Sequence, residues 1–291
     1  MPVSVTPERV VEKWRVIVFG IVAVLLALFF MLGQFSLPSL AAPWVLLDSA
    51  TKTYHPEIHR WHDAMWGVLN AILAGGILLA LVWRGQKRPL LAQFFALTML
   101  ISSIVFIAVD PTHFFEYIPF VVLVIFVVAY PAPRALLNLA PAGRISVPLL
   151  ALGILAAVLL APDVYRNIVL QIYDRTSEHG QNMHWLLSAL TDALLIVAGL
   201  LICTKRPGWK SLGVITGITF LYLGAAAITV PYHPGSWGTL GGVISVLGGI
   251  NFIVVTFYEA RRIPQQPTTL AQPEQQLVTV AANESDRNEH R

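Results

Sequence analysis

Residues 183–203 read MHWLLSALTDALLIVAGLLIC, an apolar run that contains one formally charged residue, Asp192. A helix needs about 20 mainly apolar residues to cross the hydrocarbon core of a bilayer, and this stretch has that length. The pattern therefore predicts a membrane-spanning α-helix. Because a charge inside such a helix is costly, Asp192 is also the first residue to consider for function.

Seven further stretches have the same character, and together they set the fold class. Of the 291 residues, 56% are hydrophobic and 12% are charged, whereas a soluble domain carries about 25% charge. We therefore predict an all-α, polytopic membrane protein with eight transmembrane helices. The predicted spans are residues 16–34, 64–83, 90–109, 117–130, 146–161, 183–203, 212–230 and 240–258.

Lysine and arginine residues flank the apolar runs in short clusters, and their distribution predicts the orientation. With the N-terminus inside, the inner segments before the tail hold thirteen of these residues and the outer segments hold four. Positive residues favour the cytoplasmic side, so both termini are expected in the cytoplasm, with the chain in a plasma or inner membrane. The clustering also argues against a nucleic-acid partner. The tail, residues 263–291, is rich in Gln, Pro, Thr, Asn and Glu and is expected to be disordered.

Several short motifs recur at similar spacing, which predicts an internal duplication. KRP at residues 87–89 recurs at 205–207, PTH at 111–113 corresponds to PYH at 231–233, and His62 corresponds to His184. The offsets are 118, 120 and 122 residues, which predicts two parallel four-helix repeats, residues 1–139 and 140–262. Sites in such folds lie where the halves meet, so equivalent positions are expected to face one another. Chance similarity between apolar segments is the alternative.

Histidines concentrate on one side of the predicted membrane. Seven of the eight fall in outer segments, and His59 and His62 share a helical face because they are three residues apart. Imidazole is a common metal ligand and with a carboxylate suits zinc, copper(II) or iron, while histidines on different helices suit a haem. The predicted ligands are His59, His62, His113, His179, His184 and His233.

Polar residues recur every four positions in two predicted spans, so each set lies on one helical face. The two stripes are His184, Ser188 and Asp192 in the sixth span and His62, Trp66 and Asn70 in the second. Asp192, together with Asp63 near the outer surface, is the candidate catalytic or proton-handling carboxylate. A hydrogen bond from Asp192 to Asn70 or Asn251, which would only hold helices together, is the alternative.

Three classes of function remain open. The favoured one is a metal or haem protein with a His/Asp-lined site at the outer face and a redox or hydrolytic role. The second is a proton- or cation-coupled transporter that uses Asp192, and the third is a non-catalytic scaffold or accessory subunit. The expected partners are the lipid bilayer, a small-molecule substrate or ion, and a second copy or a membrane complex. Cys203 is the only cysteine, which excludes cysteine-based metal and redox motifs.

Overall fold

The computed structural model describes residues 7–33, 36–45, 56–83, 85–109, 111 and 117–262, and within them the chain forms helices and turns but no strand. The predicted all-α fold is therefore confirmed. The helices are α1 (Pro7–Leu32), α2 (Ser36–Ser39), α3 (Pro56–Gly67), α4 (Ile77–Val82), α5 (Pro89–Val109), α6 (Ile118–Ala129), α7 (Pro133–Leu136), α8 (Val147–Tyr173), α9 (Glu178–Gln181), α10 (His184–Ile202), α11 (Trp209–Thr229) and α12 (Gly238–Arg261).

Seven of the described helical segments are long and apolar enough to cross a membrane, which identifies a multi-pass integral membrane protein. The fourth predicted span corresponds to α6, which is shorter, with 12 residues. The fifth predicted span ends at residue 161, whereas α8 continues through Pro162 to Tyr173. A proline inside a helix removes one backbone hydrogen bond and favours a kink, and here the helix continues beyond it.

The second predicted span is not a uniform α-helix. α3 passes into a π-helix, Val68–Gly76, which returns to α-helix in α4. A π-helix bonds residue i to residue i+5, so it changes the spacing of side chains around the helix axis. The predicted stripe of His62, Trp66 and Asn70 stays a prediction. The Asn70 amide donates to the Trp66 carbonyl, 3.1 Å away in its own helix.

α10 is the central helix of the bundle. In its apolar window 72% of the residues are buried, against 22% in the windows of α1 and α8. It packs along α8, where a Cβ added to Gly153 would lie 2.7 Å from the Gly199 carbonyl oxygen. α11 and α12 approach in the same way, since a Cβ on Gly224 would lie 2.6 Å from the Gly242 oxygen. Small residues at these contacts let the helix backbones come close together.

Equivalent positions of the predicted repeats contact one another at both ends of α10. At one end the two KRP connections meet, because the Leu90 N–H donates to the Pro207 carbonyl at 3.1 Å. At the other end the rings of His62 and His184 stack, with centroids 4.9 Å apart and planes 16° apart. These contacts are of the kind that a parallel repeat would produce. The duplication itself, and the boundary between residues 139 and 140, stay predictions.

The described residues up to Phe257 belong to one compact unit, and a second unit begins at Tyr258. The described part of the second unit is the end of α12, where the Arg262 guanidinium lies 4.2 Å from the centroid of the Tyr258 ring. The predicted disordered tail, residues 263–291, lies outside the described residues.

Candidate metal centre

The first turns of α3 carry two of the predicted ligands. α3 begins at Pro56, and proline suits the first position of a helix because that position needs no N–H donor. His59 and His62 are 0% and 1% exposed, so both imidazoles lie inside the protein. Their ring centroids are 6.5 Å apart, which confirms that they share a helical face.

A tight corner between α9 and α10 brings two further ligands together. The Ser177 hydroxyl caps α9 by accepting the Gly180 N–H at 3.1 Å. Met183 takes a left-handed conformation, with φ of 55°, and turns the chain into α10. His179 and His184 flank this corner, and their Nδ1 atoms lie 3.4 Å apart. A left-handed non-glycine residue is uncommon, so the corner depends on the contacts that surround it.

Buried hydrogen bonds hold the corner against α8 and α10. Gln171, near the end of α8, donates to the Gly180 carbonyl at 3.0 Å and accepts the Leu186 N–H at 3.1 Å. The Asp174 carboxylate accepts from the Trp185 indole at 3.1 Å. A Cβ on Gly180 would lie 1.8 Å from the Asp174 carbonyl oxygen, so only glycine fits there. The corner therefore has one well-defined position relative to its neighbours.

His59 joins His179 and His184 in a three-histidine cluster. One nitrogen of each ring lies within 4.8 Å of the other two, and the His59 ring centroid is 4.7 Å and 4.5 Å from those of His179 and His184. Two nitrogens bound to a tetrahedral zinc at 2.0–2.1 Å would be about 3.3–3.4 Å apart, which is the Nδ1 separation between His179 and His184. The widest pair exceeds that spacing by at most about 1.5 Å, a movement that side-chain torsions can supply.

Glu178 lies beside the cluster and orients His59. Its Oε1 is 3.0 Å from His59 Nε2. Metal-bound histidines commonly have a carboxylate beside their second ring nitrogen. Burial lowers the pKa of His179 and nearby His59 lowers it further, while Glu178 and Asp174 partly oppose both effects. The neutral imidazole that results is the form that binds a metal ion.

His62 lies next to the cluster without belonging to it. Its Nδ1 is 3.2 Å from the Ser188 hydroxyl, and its Nε2 has no hydrogen-bond partner among the described residues. The ring stacks on His184 and meets the Trp185 ring edge-on, with centroids 5.1 Å apart. His62 therefore presents a nitrogen that is not used elsewhere, beside three histidines that could share an ion.

The other predicted site residues have different surroundings. His233, in the turn after α11, is half-buried and acts electrostatically on His62, but it is not part of the three-histidine cluster. His113 lies outside the described residues. Asp63 is half-buried and lies near the Tyr222 hydroxyl. Its assignment as a catalytic residue stays a prediction.

Asp192 lies eight residues after His184 in α10, which is about 12 Å along the helix axis. It is 0% exposed, and neither carboxylate oxygen has a hydrogen-bond partner among the described residues. Neither predicted partner serves it. Asn70 donates within its own helix, and Asn251 is exposed and donates to the Leu247 carbonyl at 2.8 Å.

Two acids that the sequence did not single out have important positions. Glu178 contacts His59, and Asp163 of α8 acts on Asp192. Glu178 directly precedes a predicted ligand, which was a usable signal.

Comparison with known proteins gives one partial match. A family model described as the Ycf66 protein N-terminus matches residues 49–108. That segment includes His59 and His62, the π-helix and nearly all of α5. No curated protein and no solved structure matches the chain.

Proposed function

We propose that this membrane protein binds one divalent transition-metal ion, zinc in the first instance, through His59, His179 and His184. The observation that supports the proposal is the convergence of three imidazoles from α3, α9 and α10 with ligand nitrogens within 4.8 Å of one another. One ion could bind a nitrogen of all three rings at once.

Zinc fits this set of ligands better than the other candidates. Calcium and magnesium prefer oxygen ligands, and copper(II) prefers a square or tetragonal arrangement. A haem would have to lie between its axial nitrogens, but the rings of His59 and His184 have centroids only 4.5 Å apart. His179 fills a further side of the same space, with its centroid 4.7 Å from that of His59. The cluster therefore favours a single ion with tetrahedral coordination.

Three protein ligands leave a fourth position for water or a substrate. Structural zinc sites usually close all four positions with protein, whereas catalytic sites keep one open. His62 lies beside the cluster with its Nε2 without a hydrogen-bond partner among the described residues, so it can bond a molecule in the fourth position. Zinc has no redox chemistry, so this arrangement favours metal-assisted hydrolysis over electron transfer.

The proposal is tested by metal analysis of the full-length chain, purified in mild detergent without chelator and loaded with zinc. We expect one zinc per chain. Competition with a chromophoric chelator measures the zinc affinity. Loss of a residue that only hydrogen-bonds a metal ligand lowers affinity by roughly 10–100-fold, and we expect His184→Ala to lower it by more than that. His233→Ala is the matched control, because this half-buried histidine is not part of the cluster.

X-ray absorption of the zinc-loaded chain should show zinc–nitrogen distances of about 2.0–2.1 Å. Glu178→Gln should reduce affinity by about 10–100-fold and leave the stoichiometry at one. Zinc that binds with unchanged affinity to His184→Ala, or a chain that takes up no stoichiometric metal, would overturn the proposal.

A further inference from the structure

A set of unused hydrogen-bonding nitrogens surrounds the turn between α11 and α12. Trp61 and His62 of α3 are 0% and 1% exposed, and Trp237 directly precedes α12. The Trp61 Nε1, His62 Nε2 and Trp237 Nε1 atoms are all buried, and none has a hydrogen-bond partner among the described residues. Buried polar atoms without a partner are rare in native proteins, so neighbouring ones call for a chemical explanation.

Gly235, in that turn, shows that these rings are neighbours. Its φ is 77°, a left-handed conformation, and a Cβ built there would lie 3.2 Å from His62 Cε1 and 3.4 Å from Trp61 Cδ1. Each of these carbons is bonded directly to the unused nitrogen of its ring. Trp237 is two residues further along the chain, and its ring meets that of Trp61 edge-on, with centroids 5.4 Å apart. Residue 235 therefore places no side chain against the ring edges that carry two of the unused nitrogens.

Trp185 belongs to the same aromatic group, but its indole N–H is already used. A Cβ on Gly235 would lie 3.3 Å from Trp185 Cζ3, and the ring centroids of Trp185 and His62 are 5.1 Å apart. The Trp185 N–H donates to the Asp174 carboxylate at 3.1 Å. The protein therefore supplies an acceptor for the indole that faces the histidine corner, whereas the two other indoles receive none from the described residues.

The unused atoms define the chemistry of a ligand. An indole N–H can only donate, so Trp61 and Trp237 both require an acceptor. The Ser188 hydroxyl lies 3.2 Å from His62 Nδ1, and when it donates to that atom the ring proton is on Nε2, which becomes a third donor. The oxygens of a carboxylate or a carbonyl group only accept hydrogen bonds. Such a group fits a set of donors better than a water molecule, which brings two donors of its own.

We propose that Trp61, His62 and Trp237 form a binding site for the oxygen atoms of an acyl compound, a carboxylate or an amide, whose planar body packs against the aromatic rings. The His62 ring also lies 4.9 Å from that of His184 and 4.8 Å from that of His179, measured between centroids. A compound held by these donors is therefore next to the proposed zinc ligands. It is the substrate of the metal site only if the proposed function holds, whereas its binding needs no metal.

The indole N–H resonances of the full-length chain, labelled with isotope-enriched tryptophan and freed of metal with chelator, test the site directly. The chain has eight tryptophans, and Trp61→Phe and Trp237→Phe each identify one resonance while they keep an aromatic ring. We expect benzoate or benzamide to shift both resonances downfield and saturably, because a new acceptor deshields an indole proton. A larger effect of benzoate identifies a carboxylate, and a larger effect of benzamide identifies a neutral carbonyl group. The resonance of Trp209, which is 4% exposed at the start of α11, should not move.

The same titrations give affinities. Trp61→Phe or Trp237→Phe should weaken benzoate binding by about 10–100-fold, which is the cost of one hydrogen bond to a charged group. Trp209→Phe is the matched control and should leave the affinity unchanged. Toluene has no oxygen and should not cause the downfield shift. No saturable shift with either acyl compound, an equal shift with toluene, or an unchanged affinity in both site variants would overturn the proposal.

Zinc separates the binding site from its assignment to the metal. Benzoate should bind more tightly to the zinc-loaded chain, because a carboxylate can also take the open fourth position, and His184→Ala should remove that gain. Saturable shifts in a chain that takes up no zinc would support the acyl site and overturn only the metal proposal. Stoichiometric zinc without any shift would do the reverse. Equal benzoate affinity with and without zinc would refute the assignment of the bound compound as the substrate.

Discussion

Gly153→Ala tests the close contact between α8 and α10, the two helices that hold the histidine corner. A Cβ at this position would lie 2.7 Å from the Gly199 oxygen and 2.8 Å from its carbonyl carbon, whereas ordinary contact begins at 3.4 Å. Both atoms belong to the backbone and cannot rotate away, so α8 and α10 must separate by about 0.7 Å. Overpacking of this size typically costs about 1–3 kcal/mol.

Gly248→Ala is the matched control, because a Cβ built there has nothing within 4 Å. Both changes improve helix propensity by a similar amount, so the difference between them isolates the clash. Reversible unfolding of the full-length chain in mixed micelles should give a free energy of unfolding that is about 1–3 kcal/mol lower for Gly153→Ala than for the control. Equal stability of the two variants would refute the close packing of α8 on α10.

Three further predictions use the same chain and similar assays. The pKa of His179 lies below the usual 6.5 in the folded protein, so the unfolded chain binds that proton more tightly. The stability of the metal-free protein should therefore decrease as pH falls below about 6.5, and His179→Gln should flatten that slope in unfolding curves. Arg206 is buried and its guanidinium bonds the Gln93 side-chain oxygen, so Gln93→Leu should lower the free energy of unfolding by about 1.5–3 kcal/mol, and unchanged stability would contradict the role of this contact. Asp174→Asn weakens the hydrogen bond that the Trp185 indole donates to residue 174 and so loosens the histidine corner. Chelator competition should show a zinc affinity that is lower by about 10-fold at unchanged stoichiometry.

The helical fold could be predicted from the sequence because the length and apolar composition of each span are properties of one continuous stretch of residues. The three-residue spacing of His59 and His62 was also sufficient to place both on one face, and the stacking of His62 on His184 agrees with their equivalence in the predicted repeat. These features are local or follow from periodicity. They need no knowledge of how distant helices pack.

Other features depend on tertiary contacts that periodicity does not contain. The π-helix interrupts a run whose composition is ordinary for a membrane helix. α8 extends past Pro162, although a proline commonly marks a helix end. Neither amide considered for Asp192 bonds to it, because Asn70 and Asn251 both donate within their own helices.

A purely structural role does not account for Asp192. A charged residue at the centre of a spanning helix costs about 2.5–3.5 kcal/mol on insertion scales. Hydrogen bonds between membrane helices stabilise by about 0.6 kcal/mol on average and about 1.7 kcal/mol at most. Asp192 makes none among the described residues, so helix association does not offset its cost.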